Sequence, residues 1–470
     1  MSGQASALVD SAGVRDTAAL KPALLGLAGA SIEWYDFLLY GTAAALVFPT
    51  TFFPPTLAPF VGLIASFSTF AVGFLVRPVG AALLGHIGDR VGRKTAFAAA
   101  LIIMGSATTL IGLMPSYRTA GVLAPLGLVL LRLTQGLAVG GQWGGATLLA
   151  TESAPKSKRG LYGSIAQAGV PVGVVLANLA FLTASEATSP VAFASYGWRI
   201  PFLLSMVLIG LGLYIHLRAE DTTTFRLSQR DTPTLLDRHA AISTSAAATR
   251  ASDSARGRLS PPYEALRLHP RAIFLAAGSF AYGILAFYIL TTYVVAYGTT
   301  SAGLRLPRSA MLAAVLIGQI ASTPFMFVGG KLSDRYGRRR VLMTGAVLMG
   351  VWAFVLFPVM DTRSLPWITV AIGVGLCCTG LSYGPLAAMF AELFDTRVRY
   401  SAISIAYQIS AIIGGGVGPI VATALYAKYH SNLGVSVFMA SACVVALICV
   451  GVLKETHGSD LDTRGEPTVA

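Results

Sequence analysis

The sequence predicts an all-α membrane protein of twelve transmembrane helices in two pseudo-symmetric six-helix halves, and three observations lead there. Of its 470 residues 54% are apolar and 12% charged, against about 25% charged in an average soluble domain. Mean hydropathy is +0.68, and about 254 apolar side chains come close to what twelve spans of ~20 residues require. The same charged motif also occurs twice, half a chain apart. The 50 glycines agree with membrane helices, in which Gly is frequent. Collagen-like, disordered and disulfide-framework classes are excluded by the composition.

Apolar runs of spanning length fall at 24–47, 62–84, 96–114, 122–149, 161–182, 200–217, 272–297, 309–329, 341–358, 366–390, 400–427 and 434–453. With both termini on one side, the segments facing that side hold 26 of the 34 Lys and Arg, and the opposite side holds 6. The remaining two, Arg77 and Arg132, lie inside spans. The positive-inside rule makes the basic side, and so both termini, cytoplasmic. The net charge of +13 is then a topology signal, and no nucleic-acid partner is needed to explain it. Residues 1–20 lack the apolar core of a secretory signal, so the first span is expected to be retained.

Gly85-His-Ile-Gly-Asp89-Arg90-Val-Gly-Arg93-Lys94 follows the second span, and Gly330-Lys-Leu-Ser-Asp334-Arg335-Tyr-Gly-Arg338-Arg339 follows the eighth, 245 positions later. Glu152 and Arg159, after the fourth span, are echoed 240 positions later by Glu392 and Arg399. The chain thus reads as a duplicated six-helix unit. It divides into a tail (1–23), a first half (24–217), a linker (218–271), a second half (272–453) and a tail (454–470). Within the linker, 226–260 is rich in Ala, Ser, Thr and Arg and nearly free of aromatics, which predicts a largely disordered tether. The Pro261-Pro262 pair stops any helix coming from it, and 263–269 is expected to form a short surface helix.

An ionisable side chain in hydrocarbon is costly unless it is paired or faces a watery cavity. Four lie well inside the spans: Glu33, Asp36, Arg77 and Arg132. Glu33, Asp36 and Tyr40 share a helical face at i, i+3 and i+7. Two carboxylates a turn apart in a poor solvent for charge suit proton coupling; the other reading is static pairing with Arg77 or Arg132. Arg132, Gln135, Val139 and Gln142 form a second stripe, in which a guanidinium between amides can fork onto a carboxylate. Arg77, just before Pro78, either meets substrate or snorkels to the interface. Gln167 and Asn178 on the fifth span, Tyr282, Tyr293 and Tyr297 on the seventh, Gln319 and Thr323 on the eighth and Gln408 on the eleventh are further cavity candidates. Pro171 and Pro419, each beside several glycines, place softened helix at equivalent positions of the two halves, where alternating-access machines bend.

No phosphate loop, HExxH, paired CxxC or G-x-S-x-G pattern occurs in the chain. Six scattered histidines and four cysteines, all four within predicted spans, suggest neither metal nor catalytic cluster. The expectation is therefore not an enzyme, with no cofactor and no metal.

The duplicated Gly-x-x-x-Asp-Arg-x-Gly-Arg-Arg/Lys motif resembles that of the major facilitator superfamily. Nearly the whole chain, tails and linker excepted, is similar to its metabolite:proton symporter branch, which includes shikimate, alpha-ketoglutarate, citrate and proline/betaine permeases. The stretches behind this are Ser31-Ile-Glu33-Trp34-Tyr-Asp36-Phe37, Phe74-Leu-Val-Arg77-Pro78, Arg132-Leu-Thr-Gln135-Gly136, Gly140-Gly141-Gln142-Trp143-Gly144-Gly145, Lys158-Arg159-Gly160 and Gly197-Trp198-Arg199-Ile-Pro201. Arg218 to Phe225 is similar to that branch's ending of the sixth span and unlike the sugar porters' motif.

The resemblance implies the major facilitator fold, alternating access around a central cavity, and proton-driven uptake. It implies a cytoplasmic gate of breakable ion pairs made by Asp89, Arg90, Arg93 and Lys94 with their repeats Asp334, Arg335, Arg338 and Arg339, joined by Glu152, Arg159, Glu392 and Arg399. Gln142 stands where many members carry Glu, which leaves proton handling to Glu33 or Asp36. Thr223 stands where members often have Pro, and the linker is longer than the branch leads one to expect. The expected protein is a symporter of the bacterial inner membrane, working as a monomer in the lipid bilayer. It imports a small polar metabolite, foremost an organic acid such as shikimate or a dicarboxylate. An efflux antiporter is the rival, and a transporter-like sensor a more distant one.

Overall fold

The computed structural model describes residues 24, 27–81, 83, 93–140, 142–152, 154–218, 261–395 and 398–459. Asp89, Arg90, Thr223 and the linker stretch 219–260 lie outside the described residues, as do the distal parts of both tails. Twelve long helical passages follow one another: α1 (27–46), α2 (Pro59–Ala81), α3 (Arg93–Leu113), α4 (Leu123–Glu152), α5 (Lys156–Ala187) and α6 (Ile200–Arg218) in the first half. The second half holds α7 (Pro270–Thr299), α8 (Arg308–Tyr336), α9 (Arg338–Asp361), α10 (Leu365–Leu393), α11 (Arg399–Tyr429) and α12 (Leu433–Val452). Among the described residues nine of these are long and apolar enough to cross a membrane, and no β-strand occurs.

Proline sets several helix starts. Pro59 opens α2, Pro270 opens α7, and Pro261 opens the short surface helix Pro261–Leu268. At N1 the missing N–H costs nothing and the fixed φ is already helical. The outer faces carry large apolar residues, among them Leu130, Val207, Val351 and Ile448, each more than half exposed, as helices facing lipid require. Where backbone bonding loosens, the sequence shows why. α5 pauses at Ala168, ahead of Pro171, and α11 widens into a π-turn over Ile412–Val417, ahead of Pro419. A second π-turn, Ile289–Tyr293 in α7, has no proline beside it and departs from the regular helix expected there. It breaks the expected common face of Tyr282, Tyr293 and Tyr297. Tyr293 and Tyr297 stack 6.2 Å apart, with Tyr293 bonded to Asn432 and Tyr297 to Asp361, while Tyr282 donates to Ser382.

The second motif differs from its expected form as a loop. α8 continues through Ser333 and Asp334 to Tyr336, and the reversal into α9 is made at Gly337 alone. Its φ is 96°, and a Cβ there would lie 2.5 Å from a Glu455 carboxyl oxygen, so only glycine fits. Charged residues ended the apolar run, but the backbone hydrogen bonds ran on for two more turns.

The halves meet at both ends. At the end bearing the motifs, α5 crosses α8 at Gly160 and Gly330, where a Cβ on either would press on the other's carbonyl oxygen. The Asp334 carboxylate accepts from the amides of Gly160 and Leu161 at 2.9 and 3.0 Å. Arg399 pairs with Glu152 at 3.1 Å, and Arg159 approaches Glu392 to 3.9 Å. Each half's arginine thus addresses the other half's glutamate. Arg338, fully buried, forks onto Glu392 at 3.1 and 3.2 Å and holds Asp334 at 2.6 Å. The chain after α12 joins in: Glu455 accepts from the amides of Arg338 and Arg339, Thr456 donates to Glu392, and Arg159 donates to the Ser459 carbonyl. At the opposite end the contacts are aromatic, with Phe60 against Tyr426 at 5.6 Å and Arg308 over the Phe193 ring at 4.2 Å.

Arg335 stands apart from this network. It is exposed and lies over Tyr336 rather than against an acid, so its expected ion pair is absent among the described residues. Its position beyond the end of the buried helix face is the reason. The helix that carries Arg93 and Lys94 is described, but their side chains are not.

Gly330→Val drives a branched side chain into α5, and the expected loss is about 1–3 kcal/mol from overpacking. Thermal denaturation of the purified protein in detergent reads this as a lower melting temperature. Gly210→Ala, whose added Cβ meets nothing within 4 Å, is the control expected to melt with the parent. Equal melting of Gly330→Val and the parent would contradict the close crossing.

Candidate functional site

A narrow cavity of about 40 Å³ lies between the halves, midway along the helices. The first half contributes Trp34 of α1 and Pro171 of α5; the second contributes Phe280, Phe287 and Tyr288 of α7, Gln319 and Ser322 of α8, Thr379 and Tyr383 of α10, and Tyr407 of α11. Phe280, Ile284 and Phe287 recur at helical spacing, so α7 presents one apolar stripe to it. The wall is mostly aromatic with a few polar groups, the usual make-up of a small-molecule site. The Gln319 carbonyl and the Tyr288 hydroxyl are buried without a hydrogen-bond partner. Buried polar groups are nearly always bonded, so both are available to a ligand.

Tyr288 connects the cavity to a second layer. Its ring lies 5.6 Å from Phe70, 5.5 Å from Phe74 and 6.2 Å from Phe37. Behind those rings sit the two arginines. Arg77 lies 4.2 Å from the centre of Phe37 and 4.7 Å from Phe74, while Arg132 lies 4.1 Å from Phe37, 4.4 Å from Tyr40 and 4.7 Å from Phe70. One phenylalanine is therefore shared by two guanidinium groups. Each cation–π contact is worth roughly 0.5–2 kcal/mol, and several together stand in for water. Neither arginine forms an ion pair with a described residue, and Arg77 Nε and one terminal nitrogen of Arg132 have no hydrogen-bond partner.

Arg132 also donates to the Gln135 side chain at 3.0 Å, and Gln135 donates to the Thr108 hydroxyl at 2.8 Å. The Thr108 hydroxyl donates to the Met104 carbonyl at 2.9 Å. Asp36, 1% exposed, faces the hydroxyls of Thr108 and Ser205, yet neither of its oxygens has an aligned donor. A chain of side chains thus runs from Asp36 through Thr108 and Gln135 to Arg132. Glu33 lies on the cavity side, buried and within electrostatic reach of Arg77, Tyr288, Tyr383 and Tyr407. The carboxylates on one face of α1 therefore serve different surroundings, Asp36 the interior of the first half and Glu33 the joint between halves.

The other expected site residues are scattered around this core. Gln167 accepts from Trp143 at 2.9 Å, and Trp143 stacks on Tyr407 at 3.9 Å. Gln408 donates across the halves to the Gly140 carbonyl at 2.9 Å. Tyr40 donates to Thr69 at 2.6 Å, Asn178 to the Val174 carbonyl at 3.1 Å, and Tyr282 to Ser382. Tyr40, Asn178, Tyr282 and Gln408 stand outside the cavity walls. The side chain of Gln142 lies outside what is described. Trp34, Trp143, Tyr288, Tyr383 and Tyr407 were not among the expected site residues. Aromatic residues in an apolar span look like packing, and only their convergence from five helices marks them out.

A family model described as "Sugar (and other) transporter" matches residues 23–464. The inner membrane metabolite transport protein YhjE of Escherichia coli K12 is 37% identical over 445 residues, covering 94% of this chain and 95% of that one. The shikimate transporter of the same organism is 36% identical, covering 93% and 95%. The glycine betaine/proline/ectoine/pipecolic acid transporter OusA of Dickeya dadantii is 31% identical, covering 96% and 87%. Among solved structures, the proton:xylose symporter XylE bound to 6-bromo-6-deoxy-D-glucose superposes with a TM-score of 0.71 at 17% identity, covering 95% of this chain and 98% of that one. That likeness shows the fold. The chain belongs to the sugar (and other) transporter family of the major facilitator superfamily, and is a multi-pass membrane transporter of small molecules rather than an enzyme.

Proposed function

We propose that this transporter is a proton-coupled symporter that imports a small organic acid by alternating access, with both termini cytoplasmic and one chain forming the whole pathway. The observation behind this reading is the pair of guanidinium groups sharing Phe37. Two like charges held by one ring repel, and no acid of the described residues neutralises either by direct contact. An anion entering past Tyr288 relieves that repulsion. A carboxylate matches the planar fork of a guanidinium, and the named shikimate transporter among the relatives supports an acid as cargo.

The proton belongs on Asp36 or Glu33. Bringing an anion beside the arginines changes the field along Arg132, Gln135 and Thr108, at whose end Asp36 sits. The site is then linked by hydrogen-bonded side chains as far as Thr108, which Asp36 faces without a bond of its own. The cavity holds little more than a water or two by volume, so a metabolite must spread α1, α5, α7 and α10 to enter. The helix pauses at Ala168 and Ile412–Val417 are where such bending is least costly. The charge asymmetry of the loops supports a cytoplasmic motif end, and no cofactor is invoked, since the proton gradient supplies the work.

Two measurements in proteoliposomes test this. Asp36→Asn is expected to keep substrate counterflow while losing accumulation driven by an imposed pH gradient; uphill uptake at the parent level would remove Asp36 from the coupling role. Arg77→Gln and Arg132→Gln are each expected to raise KM for an acidic substrate about 10- to 100-fold, the value of one charged hydrogen bond. Unchanged KM in both variants would refute the anion site. Right-side-out and inverted vesicles given the same gradient report whether the net direction is uptake.

A further inference from the structure

A second cavity opens at the motif end of the second half, away from the central one. Arg335, Tyr336, Arg339 and Arg340 of the α8–α9 corner line it, together with Glu455 and His457 of the chain after α12, and its volume is about 470 Å³. Three guanidinium groups and an imidazole thus face one carboxylate. That carboxylate is already engaged: Glu455 accepts from the amides of Arg338, Arg339, Thr456 and His457. Arg335 and Arg340 are exposed and pair with no acid among the described residues. Arg339 donates to the Gly451 carbonyl at 2.7 Å, while its Nε is buried without a partner. The 24-residue helix α9 begins here, so its dipole adds positive potential to the same spot.

We propose that this cavity binds a phosphate-bearing anion, the chemistry shared by an anionic phospholipid headgroup and a soluble phosphate ester. Guanidinium forks match phosphate oxygens. Basic pockets at the cytoplasmic boundary of membrane helices suit acidic headgroups, and the half-exposed Tyr336 ring is an amphipathic group of the kind found at that level. The site is also mechanically placed. His457 donates from Nε2 to the Asp334 carbonyl at 2.8 Å, and its neighbours Thr456 and Ser459 reach Glu392 and Arg159. An anion seated between the α8–α9 corner and the tail therefore fastens the tail against the joint of the two halves and favours its closed form.

Native mass spectrometry of the full-length protein, with phosphatidylglycerol, phosphatidylcholine or glycerol 3-phosphate added, tests the site. Phosphatidylglycerol adducts are expected to outlast phosphatidylcholine adducts on the parent, and to form roughly tenfold more weakly on the double variant Arg335→Gln/Arg340→Gln. Equally lost binding of glycerol 3-phosphate in that variant, with no preference among lipids, keeps the site and assigns it a soluble ligand. Parent and variant alike towards all three probes would overturn the proposal. The melting temperature of the variant in neutral detergent confirms folding, and Arg340→Gln alone repeats the comparison if the double variant does not fold.

Discussion

The guanidinium of Arg132, wholly removed from solvent, is the constraint around which the first half is built. An isolated charge in a low-dielectric interior is prohibitively costly, and the protein meets that cost with ring faces from Phe37, Tyr40 and Phe70 and a hydrogen bond to the Gln135 side-chain oxygen. Those rings come from α1 and α2, so Arg132 can be solvated only if both helices pack on α4. Arg77 then uses the other available side of the same aromatic cluster. The price is two cations near one another with no counter-anion in contact, which is an unfavourable arrangement for stability alone and a favourable one for binding an acid.

The joint between halves solves a different problem. In the alternating-access cycle proposed above, it would have to hold when dry and release when wetted. Glu152 with Arg399 and Arg159 with Glu392 are charges that lose hydration on closing and regain it on opening. The net worth of such pairs is small because desolvation offsets Coulomb attraction, yet their geometry is specific. The paired glycines at the α5–α8 crossing let the backbones come near enough for Asp334 to reach the amides of Gly160 and Leu161. Close approach and charge pairing thus depend on each other, and separating the helices breaks both at once.

Much of this was legible in the sequence because membrane physics leaves few choices. Twelve apolar runs, the duplicated motif and the asymmetry of Lys and Arg led to the helices and their order. The four buried charges stood out because ionisable groups in spans are rare. What could not be read was pairing across the duplication: spacing placed Glu152 beside Arg159 and Glu392 beside Arg399, but which glutamate meets which arginine depends on how the halves pack. The motif after α8 was misjudged as a loop because hydropathy marks where lipid ends, whereas the helix ends where Gly337 turns. The aromatic wall was hidden for the opposite reason. Trp34, Tyr288 and Tyr407 have the same signature as packing residues until helices from both halves bring them together.

The two ends of the joint are made of unlike materials, and that bears on how the proposed cycle would turn. At the motif end the contacts are charges, backbone amides and the tail; at the other they are Phe60 on Tyr426 and Arg308 on Phe193. Charged groups are rehydrated when their end opens, so most of the lost attraction is returned by water. An apolar ring contact such as Phe60 on Tyr426 loses about 25 cal/mol for each Å² exposed, with no such return, but it forms without strict geometry. A closed motif end is therefore specific and nearly neutral in energy, and a closed opposite end is adhesive and tolerant. Between such ends, a ligand bound near Arg77 and Arg132 as proposed would need to supply only a small bias to decide which one opens, because population shifts follow differential binding and not binding strength.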